Sequence, residues 1–232
     1  MKRVGFFGAT WSIAVKDLRL EWRTFETLSS SLVFSLIVLV LFNFAFGLAT
    51  IRQLGADRLV PGVVWTVLAF AVVVTVARSL ELEKRRETLV ALFMAPVDRS
   101  ALFAGKFLAN LLKNTILQWI VIVLSAIFFD FDLISIAGMM ILVLFVHGLG
   151  LTELGTLFAG ITSRVGRGEA LLATLLFPAS VPIFISAVKC TGSLLESGAL
   201  DQESWNWMVI TAGFDLLYLL VALATFEFVL EE

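Results

Sequence analysis

The sequence predicts an all-α, polytopic membrane protein. It reads as a single transmembrane domain over residues 1–232, with six transmembrane helices, an N-terminal amphipathic surface helix, and a cytoplasmic coupling helix between spans 2 and 3. Three observations carry this reading. First, 59% of the 232 residues are hydrophobic and 16% are charged, against roughly 25% charged in an ordinary soluble domain. Second, the charges gather in short loops between apolar runs, each near the ~20 residues that cross a bilayer as helix. Third, with Arg78, Lys106 and Lys113 counted with the loop between the second and third spans, all but three of the 17 Lys and Arg fall on alternate loops and the N-terminal segment, the exceptions being Arg52, Arg58 and Lys189. The positive-inside rule then puts both termini in the cytoplasm.

The first element spans 10–27. Trp11, Val15, Leu18, Trp22 and Phe25 recur at four- and three-residue spacing, which aligns them on one helical face suited to the membrane surface. Lys16, Asp17, Arg19, Glu21, Arg23 and Glu26 are expected on the remaining faces. Membrane spans are expected at 28–51, 59–79, 102–129, 133–162, 170–188 and 207–229. The first span is expected to act as an uncleaved insertion signal, because residues 1–27 mix both signs of charge and lack an early apolar core. Pro61 falls in the first turn of the second span, where a missing N–H costs least. Asp130 and Asp132 make a tight acidic turn between the third and fourth spans. Trp205 and Trp207 mark an interface before the last span.

Residues 81–99 form the coupling region. Glu81, Glu83 and Glu87 alternate with Lys84, Arg85 and Arg86, a solvated head held out of the bilayer. Thr88 can cap a short helix that gathers Leu89, Leu92 and Phe93 on one face, and Pro96 ends it. Apolar residues on a cytosolic loop invite a partner; the competing reading lays this helix in the lipid headgroups. The residues expected to couple to that partner are Glu83, Glu87, Leu89, Leu92, Phe93 and Pro96.

Chemistry of the chain's own is not expected. There is no Gly-x-x-x-x-Gly-Lys-Ser/Thr phosphate loop, no His-Glu-x-x-His, no Cys-x-x-Cys-His and no Gly-x-Ser-x-Gly. Cys190 is the single cysteine, so neither an internal disulfide nor a cysteine metal cage can form. No basic patch interleaves with aromatics, so no nucleic-acid partner is expected. Neither a catalytic residue nor a bound cofactor or metal is therefore assigned to the chain.

Ionisable residues inside spans are functional candidates, because lipid burial makes them costly. They are His147, Glu153 and Asp215. His147 and Glu153, six residues apart, point roughly 120° apart on a helix and cannot share one small site. A lone histidine without a second ligand suits a structural hydrogen bond better than haem or metal ligation. No chain of acids continues from Glu153 to make it a proton carrier. Asp215 either pairs with another helix or faces a cleft. Gly148, Thr152, Gly155 and Ala159 form a small-residue stripe for close helix packing. Pro178 and Pro182 should kink the fifth span and are hinge candidates. Lys106, Asn110, Lys113 and Asn114 put a polar face on the third span, which must line protein or water.

These parts together resemble the membrane subunits of ABC-2-type ABC transporters. More narrowly, the chain is similar over its whole length to the CcmB family, the haem exporter B proteins of cytochrome c maturation. The resemblance rests on Lys16-Asp-Leu-Arg-Leu-Glu21, Pro61-Gly-Val-Val-Trp65, Thr88-Leu-Val-Ala-Leu-Phe-Met-Ala-Pro-Val-Asp-Arg99 with Lys106, and Phe177-Pro-Ala-Ser-Val-Pro-Ile183. One departure is Glu87, where related permeases usually have Gly. The family implies an ATPase partner, CcmA, membrane partners CcmC and CcmD, and indirectly the haem chaperone CcmE. It implies a bacterial inner-membrane location and a homodimer, ATP acting through the partner subunit, and haem handled through the complex. The pathway's Trp-rich loop flanked by histidines is missing, since Trp205 and Trp207 stand without one. The rival readings are an ABC-2 permease for a lipid or polysaccharide and an ATP-independent carrier. The latter needs coupled ionisable residues or an inverted repeat near the midplane.

Overall fold

A computed structural model describes residues 5–85, 99–162 and 168–229. Among these residues every regular element is helical: α1 (Phe6–Thr24), α2 (Glu26–Leu54), α3 (Ala56–Arg85), α4 (Arg99–Phe129), α5 (Leu133–Thr162), α6 (Gly168–Ala179), α7 (Val181–Ser197) and α8 (Gln202–Val229). Five of them, α2, α3, α4, α5 and α8, contain stretches long and apolar enough to cross a membrane. The bent pair α6–α7 makes a sixth if the two halves form one span. The protein is an all-α, multi-pass membrane protein.

The joints between helices have local causes. At Phe25 the backbone turns left-handed, with φ of 49°, and its N–H donates to the Glu21 carbonyl. The Glu21 carboxylate then reaches forward and accepts the N–H groups of Thr27 and Leu28, at 3.0 and 2.9 Å. An acid supplied by one helix thus caps the orphan donors of the next and sits at its positive dipole end. Asp132 does the same for α5, accepting from Ile134 and Ser135 after the left-handed Asp130. Gly198, with φ of 76°, ends α7 in a conformation that only glycine adopts without penalty.

The expected fifth span is two helices, bent by 62° about Ser180. Neither Pro178 nor Pro182 can donate to the carbonyl four residues earlier, so two consecutive turns of the ladder lose their bonds. The Ser180 hydroxyl adds a bond at the bend, donating at 2.8 Å to Leu176 O, which also accepts the Ser180 N–H. Helix α7 then continues to Ser197, beyond the expected limit at 188. Helix α3 likewise continues through Arg85, which places Glu81 and Glu83 on its last turn. Of the coupling residues, Glu87, Leu89, Leu92, Phe93 and Pro96 lie outside the described residues.

Helix α1 begins at Phe6, earlier than the expected 10, and two acids on its polar side are buried. Trp11, Trp22 and Phe25 are exposed, but Asp17 and Glu21 are buried with Ala9, Thr10, Ile13 and Ala14. Helix α1 docks against α4 and each of these two acids has a partner, while Lys16, Arg19 and Arg23 stay exposed.

Helix α3 is the central element, packed by α2, α4, α5, α6 and α7. Val64, Val67, Leu68, Ala71, Val72 and Val76 on it are all fully enclosed. Helices α2 and α8 lie at the periphery and expose apolar faces, including Ile37, Leu41 and Phe44 on α2 and Val209, Leu216 and Leu220 on α8.

Candidate functional site

The polar face of α4 is turned into the bundle. Lys106, Asn110, Lys113, Asn114 and Gln118 are all buried. Near the α1 end, Lys106 Nζ lies 3.3 Å from Asp17 Oδ2, and Lys16 Nζ lies 3.0 Å from Asp17 Oδ1. Burial works against the Asp17 charge, but Lys106 and Lys16 outweigh it and hold the carboxyl below the ordinary carboxylate range. Gly105 lets the two helices touch: a Cβ there would lie 2.7 Å from Ile13 Cβ and 2.8 Å from the Thr10 carbonyl.

Deeper in the bundle, α4 and α5 are joined by a polar ladder. Asn110 Nδ2 donates to Thr156 Oγ1 at 3.2 Å, and Asn114 Nδ2 donates to Thr152 Oγ1 at 3.0 Å. Both threonine protons are already committed to α5 carbonyls, Thr152 to Gly148 O and Thr156 to Thr152 O. The asparagines must therefore present their N–H groups, leaving Oδ1 of each without a partner. Gln118 fills the space over Gly148. Gly155 faces α3 instead, with Val72 and Val76 methyls 3.3 Å from where its Cβ would be, and Ala159 is buried one turn on. The stripe Gly148, Thr152, Gly155, Ala159 thus runs along a surface shared by α4 and α3. The ladder had a sequence signal, polar residues repeating every four positions at 110, 114 and 118, that stopped short of naming its partners on α5.

A second polar cluster joins α3, α5, α7 and α8 around His147. Its Nδ1 is 2.7 Å from Val143 O and its Nε2 is 2.8 Å from Ser186 Oγ. A carbonyl only accepts, so Nδ1 carries the proton and Nε2 accepts from Ser186. Both ring nitrogens are engaged in these bonds. Trp65 lies against the ring at 5.4 Å and donates to Thr191 Oγ1 at 2.9 Å. Cys190 Sγ donates to Ser204 O at 3.4 Å. Among the described residues, no group of three or more His, Cys, Asp or Glu side chains could hold a metal ion.

Glu153 and Asp215 are both buried, on α5 and α8, two helices that pack together. Asp215 packs over Gly150, where any Cβ would strike its carboxylate. His147 is not part of this arrangement. At the other end of α8, Lys189 pairs with Glu203 and lies 5.8 Å from the Trp207 ring.

Comparison with known proteins agrees with this architecture. Residues 8–230 match the family described as CcmB protein. Heme exporter protein B of Bradyrhizobium diazoefficiens is 25% identical over 182 residues, which cover 78% of this chain and 79% of the relative. A match that runs through every helix from α1 to α8 makes this chain a member of the CcmB family.

Proposed function

We propose that this chain is the membrane subunit of an ABC transporter complex for cytochrome c maturation. It couples ATP hydrolysis by a separate subunit, CcmA, to haem export or to release of the haem-loaded chaperone. The observation that carries the reading is the family match over residues 8–230, together with a relative named for haem export. The chain sits in the bacterial inner membrane as a homodimer with both termini cytoplasmic, beside CcmC and CcmD and acting on CcmE indirectly. It holds no cofactor of its own: ATP acts through CcmA, and haem is cargo of the complex. The engaged nitrogens of His147 support this division of labour.

The helix layout supports a route for the coupling. Residues 86–98 leave from α3, the central helix, and return to α4, which carries the buried polar face. A push on Leu89, Leu92 and Phe93 therefore acts on the two helices that contact most of the bundle. Glu83 and Glu87 flank the contact, Pro96 ends it, and the bend at Pro178 and Pro182 is the hinge that yields.

The test is Leu92→Asp. A carboxylate desolvated in an ATPase groove without a partner costs several kcal/mol, and about 4 kcal/mol weakens association roughly a thousandfold. Pull-down of CcmA is expected to fail while the spans still insert, and Leu92→Met is expected to retain it. Binding of the Asp variant at wild-type affinity would refute the coupling assignment. An ABC-2 permease for lipid or polysaccharide would instead co-purify with a different ATPase and without CcmC.

A further inference from the structure

Glu153 is fully enclosed, and neither of its carboxylate oxygens has a hydrogen-bond partner. It lies one turn from Leu149 and one turn from Leu157, both part of the apolar cluster that α5 shares with α4 and α8. Asp215 sits one turn before Leu219, which belongs to the same cluster. Its Oδ1 is buried and likewise has no partner. Gly150, three residues before Glu153 on the same face of α5, leaves the space that the Asp215 carboxylate occupies.

Among the described residues, the charged side chains of the neighbouring helices have partners elsewhere. From α4, Lys106 and Lys113 act on Asp17 of α1. Arg78 of α3 pairs with Glu26, Lys189 of α7 pairs with Glu203, and the Tyr218 hydroxyl of α8 donates to Ala179 O. On α4, Asn110 Oδ1 and Asn114 Oδ1 add two more unpartnered acceptors. Among the described residues the buried oxygens without partners on α4, α5 and α8 are all acceptors, and what Glu153 and Asp215 lack is a donor.

Two carboxyls buried against one face of α5, one at Glu153 and the other over Gly150 three residues before it, cannot both carry charge without a counter-ion. Adding one proton removes the repulsion and creates the missing O–H donor at once. We propose that Glu153 and Asp215 form an intramembrane proton-binding site that holds a single proton between α5 and α8. This site stands independently of the transport reading, since it rests on the packing of α4, α5 and α8 alone.

The experiment is infrared spectroscopy of the full chain reconstituted in phosphatidylcholine vesicles at pH 7, where exposed carboxylates are ionised. A C=O stretch from an un-ionised carboxyl is expected in the wild type. It should shift in heavy water, persist when sodium and potassium are replaced by a bulky organic cation, and vanish in Glu153→Gln/Asp215→Asn. Absence of the band from the wild type, its full retention in the double variant, or its loss on adding sodium would each overturn the proposal. The last outcome would mean that a metal cation, not a proton, occupies the site. Should the double variant fail to fold, dicyclohexylcarbodiimide decides on the wild type, because it attacks un-ionised carboxyls in apolar surroundings. Adducts mapped to Glu153 or Asp215 support the site, and labelling that spares both refutes it.

Discussion

Replacing Lys106 by Met tests whether a buried ion pair fastens the surface helix to the bundle. Lys106 is 4% exposed and Asp17 8%, with their charged atoms 3.3 Å apart. Methionine keeps most of the stem and its packing but removes the charge, so the loss is chiefly electrostatic. Breaking one side of a buried pair costs about 3–5 kcal/mol, because the surviving ion stays desolvated. Asp17 retains Lys16, whose side chain is 47% exposed and therefore a weaker, solvent-screened partner. That places the expected loss near the lower end, about 3 kcal/mol. If it falls on docking of α1, its open population rises on the order of a hundredfold. Native-state hydrogen exchange reads this directly: amides along α1 should exchange on the order of a hundredfold faster while those of α3 do not change. Asp17→Asn/Lys106→Met should recover more than half of the loss, because it removes both desolvated charges together. The pH dependence has a definite sign. The Asp17 carboxyl is depressed in the folded state, so its contribution is present above the ordinary carboxylate value and is lost as pH falls through the lower folded value. In Lys106→Met the largest attraction on Asp17 is gone while the effect of burial remains, so acid-induced undocking of α1 should begin at a higher pH than in the wild type. Unchanged protection of α1 in Lys106→Met would refute the claim that this pair holds the helix.

Two further outcomes follow from packing. Gly105→Ala puts a methyl 2.7 Å from Ile13 Cβ and against the Thr10 carbonyl, so α1 and α4 must move apart. The expected cost is about 1–3 kcal/mol, read as faster exchange in α1, and wild-type exchange would contradict the close approach. His147→Ala removes two hydrogen bonds and the contact with Trp65, and should lower thermal stability by about 2–4 kcal/mol through the cavity and the orphaned Ser186 hydroxyl. Cytochrome c maturation per assembled complex should nonetheless persist, and its complete loss in a folded, assembled variant would show that His147 does more than hydrogen-bond.

The sequence by itself determined the all-α multi-pass class. Apolar run length and loop charge are properties of consecutive residues, and a bilayer accepts almost nothing but helices from such runs. The tight turn at Asp130 and Asp132 and the break near Pro178 and Pro182 were legible for the same reason, since a missing N–H or a left-handed residue acts locally. The inward-facing polar side of α4 was legible as a face that lipid would not accept, though its partners were not. Only the tertiary structure decided where charges go once helices meet. Asp17 and Glu21 sit on what periodicity marked as the polar side of α1, yet both are buried, because Lys106 and the first N–H groups of α2 offer them partners there. Nothing local relates Glu153 to Asp215, and their meeting depends on α8 returning across α5 at the point where Gly150 leaves room. Helical periodicity states which residues share a face, while the partner of that face is set by packing between segments distant in the chain.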